Sequence, residues 1–396
     1  MAITNKEKGV WGLDQVYNKI NQGSIWQYSG ISALFAWGSN EEGELGLTQR
    51  GNPGGGNYYS SPVQIPGTTW DGSKINSYKD HTGAIKTDGT LWMWGKNGGG
   101  NLGQNNKTNY SSPVQIPGTT WSTITRSSTS SQSGSIKTDG TLWLWGGNGS
   151  GQLGQDNRTQ YSSPKQVPGT TWSMASQNED ATAAIKTDGT LWSWGANWGG
   201  QLGQNEAGTG SSNINYSSPV QIPGTTWDHV FLSAYYSAMA TKTDGTLWSW
   251  GYNENAATAL GHNDQTSRSS PTQIPGTWAT GADKFVFKYR SAAAIKADGT
   301  LWVWGRGLYG QHGQNNQTSY SSPVQIPGTT WDKVTAAWYT TIASKTDGTL
   351  WGIGRGDRGQ LDNNSSINYS SPVQINGSWP SFVTAGEHSV FGMGLI

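Results

Sequence analysis

The chain has 396 residues, 25 Lys and Arg against 25 Asp and Glu, 57 glycines, 23 tryptophans and no cysteine. A neutral, weakly charged composition has no electrostatic footprint for nucleic acid or an anionic membrane. Without cysteine there is no disulfide frame, thiolate metal site or cysteine nucleophile.

The first segment is read as a separate arm, residues 1–30, ahead of a main domain over 31–396. Its opening M-A-I-T-N-K-E-K-G-V lacks the apolar run of a secretory signal. No stretch of the chain approaches the roughly 18 to 20 apolar residues of a membrane span, so no membrane insertion is expected. Leu13, Val16, Tyr17 and Ile20 share one helical face, and Gly23 is placed to cap its end. The arm either straps the main domain or docks on a larger particle.

From residue 33 onward the chain repeats one template seven times: S-S-P-V-Q-I-P-G-T-T-W, a variable stretch, I-K-T-D-G-T-L-W-x-W-G, and N-x-x-G-Q-L-G-Q. The Asp-Gly pairs begin at Asp88, Asp139, Asp188, Asp244, Asp298 and Asp347, giving steps of 51, 49, 56, 54 and 49 residues. Such a period fits a four-stranded propeller blade. Each unit predicts a first strand (Trp331 to Ala337), a second (Thr340 to Lys345), a two-residue type I′ Asp-Gly connection, a third strand L-W-x-W-G and a fourth, S-P-V-Q-I. The fourth strand carries a proline, such as Pro113, which suits an outer edge.

Alternation puts Trp92 and Trp94 on one face and Leu91 and Met93 on the other, so both faces are apolar, as in a strand between adjacent blades. Trp92, Trp143, Trp192, Trp248 and Trp302 are therefore expected in the core. Each contributes about 4 to 6 kcal/mol of gross burial. The first unit lacks its opening hairpin, which Phe382 to Phe391 can supply. The expected fold is an all-β, seven-bladed β-propeller of four-stranded antiparallel blades, closed by pairing of N- and C-terminal strands.

The motif order G-x-x-H-S/T, D-G-T-L-W-x-W-G, N-x-x-G-Q-L-G and P-V-Q-I resembles the repeat of the regulator of chromosome condensation family. That resemblance implies a seven-bladed propeller and a histidine position filled here by His81 and His388. Gln132, Ala181, Ser237, Ser291 and Thr340 fill it in the other units. It also brings GTPase activation and chromatin binding into view, against which the neutral charge weighs. Gly9-Val-Trp-Gly-Leu-Asp-Gln-Val-Tyr17 is similar to the short leader of many tail and fibre proteins of marine bacteriophages. It implies virion docking through Val10, Trp11, Leu13, Val16 and Tyr17.

Chemistry is weakly signalled. The five histidines have no H-x-x-H or H-x-x-x-H spacing for a metal, and turn chemistry accounts for the regular aspartates. No glycine-rich turn opens a helix, and there is no G-x-S-x-G elbow. The expectation is a non-enzyme with no cofactor and no metal.

Strand direction sorts the loops onto two faces. The Asp-Gly turns and P-G-T-T-W links form a nearly invariant face, and the first-to-second turns with the third-to-fourth loops form a divergent one. On the divergent face the turns read Lys79-Asp80, Ser130-Ser131, Glu179-Asp180, Tyr235-Tyr236, Tyr289-Arg290 and Trp338-Tyr339. Loops on that face begin with Trp198, Tyr252, Arg306, Tyr309, Arg355 and Arg358. An aromatic and arginine cluster on one sector follows, suited to sugar stacking or a protein hot spot. The same rings would equally serve to plug the channel or cover loops. The leading expectation is a virion-associated adhesion protein that binds virion partners through the arm and a host glycan or protein through this face. A lectin-like propeller and a cytoplasmic GTPase regulator are the alternatives.

Overall fold

The computed structural model describes residues 32–51, 58–127, 132–207, 214–254, 259–361, 367–375, 384–386 and 389–395. The arm, with Val10, Trp11, Leu13, Val16 and Tyr17, lies outside them, as do Ser130, Ser131 and His388. Among the described residues the chain forms seven sheets and no helix.

Blade 1 joins Ser32–Ser39 and Tyr58–Gln64 to Thr384–Ala385 and Ser389–Leu395. Blades 2 to 7 follow in chain order over 70–116, 121–166, 172–222, 227–274, 285–325 and 331–375. The ring closes as the missing hairpin required, with Ser32 opposite Leu395 and Gly38 opposite Ser389 in one antiparallel ladder. In blade 7 the strands Trp331–Ala337 and Thr340–Lys345 fall where the repeat placed them. Proline-bearing strands such as Tyr110–Ile116 are the outer edges.

First strands point inward and enclose a cavity of about 500 Å³, to which Asn76, Thr123, Ala175, Phe231, Val286, Val334 and Ala385 bring one residue from each blade. One departure from seven equal sheets occurs here. Arg126–Ser127 leaves blade 3 and pairs in parallel with Ser176 and Gln177 of blade 4.

Each Asp-Gly turn is a three-residue loop, not the two-residue type I′ connection anticipated. In blade 2, Gly89 N donates to Lys86 O at 2.9 Å, and Gly89 (φ 79°) has positive φ where Asp88 does not. The reason lies in the carboxylate. Asp88 Oδ1 accepts from Thr90 N (3.0 Å) and Thr90 Oγ1 (2.7 Å), and Thr90 Oγ1 accepts Trp92 Nε1 at 2.9 Å. A type I turn followed by a left-handed glycine accommodates that chain of bonds. These bonds hold the Asp88 carboxyl below its ordinary range.

The two tryptophans of W-x-W-G have different fates, which corrects one expectation. Trp92 is half-buried, edge-on to Trp70 at 6.3 Å, with Lys86 Nζ 4.4 Å from its ring centre. Trp143, Trp192, Trp248 and Trp302 sit likewise under Lys137, Lys186, Lys242 and Lys296. These rings clamp a lysine at the blade rim rather than filling the core. The second tryptophan is fully buried and acts as a peg into the preceding blade. Trp94 Nε1 donates to Glu44 O (2.9 Å), Trp145 to Asn101 O (2.7 Å), Trp194 to Gln152 O (2.9 Å), Trp250 to Gln201 O (2.9 Å) and Trp304 to Ala259 O (2.7 Å). Trp37 donates to Gln360 O (3.3 Å) across the ring closure. Blade 7 carries Ile353 instead and keeps only the second bond to that carbonyl, Thr341 Oγ1 to Gln311 O (3.1 Å), which Thr82 and Thr182 make beside the peg in blades 2 and 4.

The loop N-x-x-G-Q-L-G is built to receive the peg. Asn97 Nδ2 donates to Asn106 O and Thr108 O, Asn97 Oδ1 accepts Leu102 N, and Leu102 plugs the blade interface. At Gly103 (φ 68°) a Cβ would lie 3.0 Å from Trp145 Nε1, so the close approach requires glycine.

The glutamine of this loop is not constant: Asn101 and Ala259 stand there in blades 2 and 5, and blade 1 carries an acid. Glu44 replaces the glutamine and is 4% exposed, its Oε2 accepting Glu42 N at 2.8 Å. Burial pushes its carboxyl up, with Asp80 adding to the shift. A carboxyl whose folded pKa is raised destabilises the ionised fold, and that penalty disappears as pH falls through the folded pKa. Glu44→Gln is therefore expected to melt higher than the parent at pH 7, with the gap narrowing on acidification. Thermal melts across pH check this, and a gap independent of pH would refute it.

A second ring of bonds ties the inner rim. Ser389 meets Ser77 (2.9 Å), Tyr78 Oη donates to Thr125 O (3.2 Å), and Thr125 Oγ1 to Gln177 Oε1 (2.7 Å). Asn178 Nδ2 donates to Ser233 O (3.0 Å), Ser233 Oγ to Tyr289 O, and Lys288 Nζ to Gly386 O (3.2 Å). This belt runs from blade 1 to blade 6 and returns to blade 1. His81, at the histidine position, is wholly buried against Tyr78 (4.3 Å) and Ser133 Oγ (2.7 Å), and burial lowers its pKa to about 3.

Candidate functional site on the divergent face

The strand order places the two loop classes as expected. Asp80 O, in a first-to-second turn, accepts Lys96 N from a third-to-fourth loop (2.9 Å). On the opposite face Gly89 O accepts Trp121 N (3.1 Å), joining an Asp-Gly turn to the next T-T-W element.

Blades 5, 6 and 7 bring most of the anticipated residues into one continuous stack. Tyr235 lies 5.8 Å from Tyr289, which stacks on Trp338 at 5.4 Å. Trp338 stacks on Tyr339 (5.4 Å), and Tyr339 meets Tyr309 (5.0 Å). Arg290 Cζ sits 4.2 Å from the Tyr235 ring centre. Arg355 Cζ lies 5.1 Å from Tyr309 and 4.9 Å from Trp338. A guanidinium on a ring face is worth about 0.5 to 1 kcal/mol when exposed and more when desolvated. Interleaving therefore stiffens the patch as well as charging it.

Not every anticipated residue joins. Tyr236 and Tyr252 belong to a separate node between blades 4 and 5. There Tyr236 lies 6.4 Å from Trp198, and Tyr252 packs so close that a Cβ on Gly199 would be 2.7 Å from its own. Burial raises the Tyr236 hydroxyl pKa, with Asp180 and Glu179 adding to it. Arg306 contributes its backbone, N to Arg290 O at 2.7 Å, and no ring contact of its side chain occurs among the described residues. Tyr339 is only 8% exposed and underpins the stack, whereas Tyr235, Tyr289, Arg290 and Trp338 are half-buried. None of these rings is among the residues that line the cavity of about 500 Å³.

Sequence reading missed two neighbours. Leu308, 42% exposed, adds an aliphatic side chain next to Tyr309, and Asp357 binds Arg355 at 2.6 Å. Both stand in the loops whose first residues were singled out. Arg290 has no carboxylate partner within 4.0 Å among the described residues, and its buried Nε has no hydrogen-bond acceptor.

The backbone beneath the rings is strained. Tyr236 (φ 55°), Tyr289 (φ 52°) and Tyr339 (φ 54°) occupy the left-handed region that favours glycine or asparagine. Such conformations cost on the order of 1 to 3 kcal/mol each and concentrate at functional sites.

The sequence model of one family, described as RCC1-like domain, matches residues 33–392. The Arabidopsis thaliana ultraviolet-B receptor UVR8 is 26% identical over 74% of the chain and 65% of the receptor. The human E3 ubiquitin-protein ligase HERC2 is 26% identical over 66% of the chain, which spans only 5% of that ligase. Among solved structures, yeast RCC1 (Prp20) bound to Kap60 superposes with a TM-score of 0.78 at 16% identity, over 93% of this chain and 89% of that one. Human WBSCR16 superposes with a TM-score of 0.77 at 18% identity, over 92% and 99%.

Proposed function

The chain belongs to the RCC1-like domain family, and from that membership we propose a protein-binding propeller without chemistry of its own, whose partner docks on the aromatic and arginine sector of blades 5 to 7. The carrying observation is the Tyr235, Tyr289, Trp338, Tyr309 stack, crossed by Arg290 and Arg355, on the face where the blades differ. Trp, Tyr and Arg dominate binding hot spots because they desolvate large areas at low rotamer entropy. Strained tyrosines hold them in place ahead of any partner.

Arg290 gives the partner a chemistry: a carboxylate beside an apolar or aromatic side chain. Residence on a virion rests on residues 9–17 alone, outside the described residues. GTPase regulation would use the same face.

The test pairs Tyr235→Ala with Trp338→Ala, both half-buried, and leaves the supporting Tyr339 intact. Partners captured by the parent and identified by mass spectrometry should be lost by the double variant. Each substitution is expected to cost about 1 to 2 kcal/mol of binding, with the melting point nearly unchanged. Retained capture would overturn the site, and a collapse in stability would return these rings to a covering role. A glycan bound by the parent, and lost on Trp198→Ala instead, would move the function to the Trp198 and Tyr236 node.

A further inference from the structure

We infer that the central channel is a binding site for a small oxyanion, a phosphate or a polycarboxylate, with Arg126 as its principal ligand. The cavity of about 500 Å³ is lined by Lys74, Arg126, Lys288 and Lys333 against a single carboxylate, Asp283. Three of those cations are already engaged. Lys74 pairs with Asp71 (3.3 Å), Lys333 with Asp283 (3.7 Å), and Lys288 donates to the carbonyls of Ala385 and Gly386. Asp283 is itself shared with Lys284 at 3.9 Å.

Arg126 differs. It sits where the inner strand of blade 3 crosses to blade 4, and its Cζ lies 5.7 Å from the Phe231 ring centre. Among the described residues its side chain has no hydrogen-bond acceptor and no carboxylate within 4.0 Å. Burial pushes its guanidinium down to about 10, opposed by the charge of Asp283, so it stays protonated at neutral pH. His229, the other titratable group nearby, is held below its ordinary value by burial and binds Asp228 at 2.7 Å.

Arg126 is half-buried, and a guanidinium in such a channel keeps only part of its hydration, a loss that no protein acceptor among the described residues makes good. An oxyanion does so, since two oxygens match the planar fork of nitrogens. Hydroxyls of Ser122, Thr123 and Thr335 also line the cavity and can donate to further oxygens. The net charge of the lining and the unmet donors thus point to the same class of ligand.

The experiment is calorimetric titration of the full chain with inorganic phosphate and, separately, citrate, in chloride buffers of matched ionic strength. Saturable binding near one anion per chain is expected, and the stronger of the two titrants identifies the source. Arg126→Gln should weaken it about tenfold or more, as loss of a charge-assisted bidentate contact does. Without anion, the same variant should melt no lower than the parent, because it removes an unpaired charge. Should Arg126→Gln fail to fold, Ser122→Asp supplies a carboxylate within the channel and should abolish binding of both anions. No saturable binding by the parent, or equal binding by these variants, overturns the proposal.

Discussion

Removal of residues 382–396 is expected to leave a chain that elutes as high-order aggregate instead of a monomer. The deletion takes away Ser389–Leu395, which pairs with Ser32–Ser39 in the ladder from Ser32 to Gly38, and Thr384–Ala385, which pairs with Ser389–Leu395 in turn. It also strips Val390 and Phe391, both 0% exposed, and Met393 from blade 1. At about 1.5 to 3 kcal/mol for each buried apolar side chain, those three alone amount to a large part of the roughly 5 to 15 kcal/mol that holds a folded domain. The loss also bares the apolar S-A-L-F-A-W-G-S strand as an open edge, which pairs with other chains. Size-exclusion chromatography with light scattering reads the outcome. A monomer melting like the parent would contradict the closure.

The second large effect is expected from Trp145→Ala. Trp145 is fully buried, packs between blades 2 and 3, and donates to Asn101 O at 2.7 Å. Truncating a buried tryptophan costs about 3 to 5 kcal/mol, and the orphaned carbonyl adds roughly 1 to 3. Urea denaturation should show a markedly lower midpoint, with Trp145→Phe in between because it keeps most of the volume but not the bond. Trp143→Ala, at the rim beneath Lys137, should cost much less. Equal losses at the two positions would mean that the peg has no special part in joining blades.

Architecture was legible because the repeat carries its own geometry. T-T-W, D-G-T and W-x-W-G each fix a local hydrogen-bond pattern, and the missing hairpin of the first unit pointed to the composite blade. Counting back from the Asp-Gly turns located Tyr235, Tyr289 and Trp338, because residues at one offset in every unit share one height on the disc. That offset holds no information on side-chain direction. Tyr339 therefore turned out to be a support and Tyr236 a member of another node. The turn type was misjudged because the Asp88 carboxylate and Thr90, not the dipeptide alone, set the loop. Arg126 had no signal, since it stands in the variable stretch where the strand leaves its own blade.

The tryptophan pegs all end on main-chain carbonyls, and the residues that offer them are Glu44, Asn101, Gln152, Gln201, Ala259 and Gln360. A peptide oxygen is supplied by any amino acid, so the joint between neighbours does not care which side chain stands there. Mutation can thus redraw what the disc recognises, one loop at a time, while leaving its assembly instructions untouched. A scaffold with that separation is open to inheritance of new specificities by single steps, without passing through forms that fail to fold.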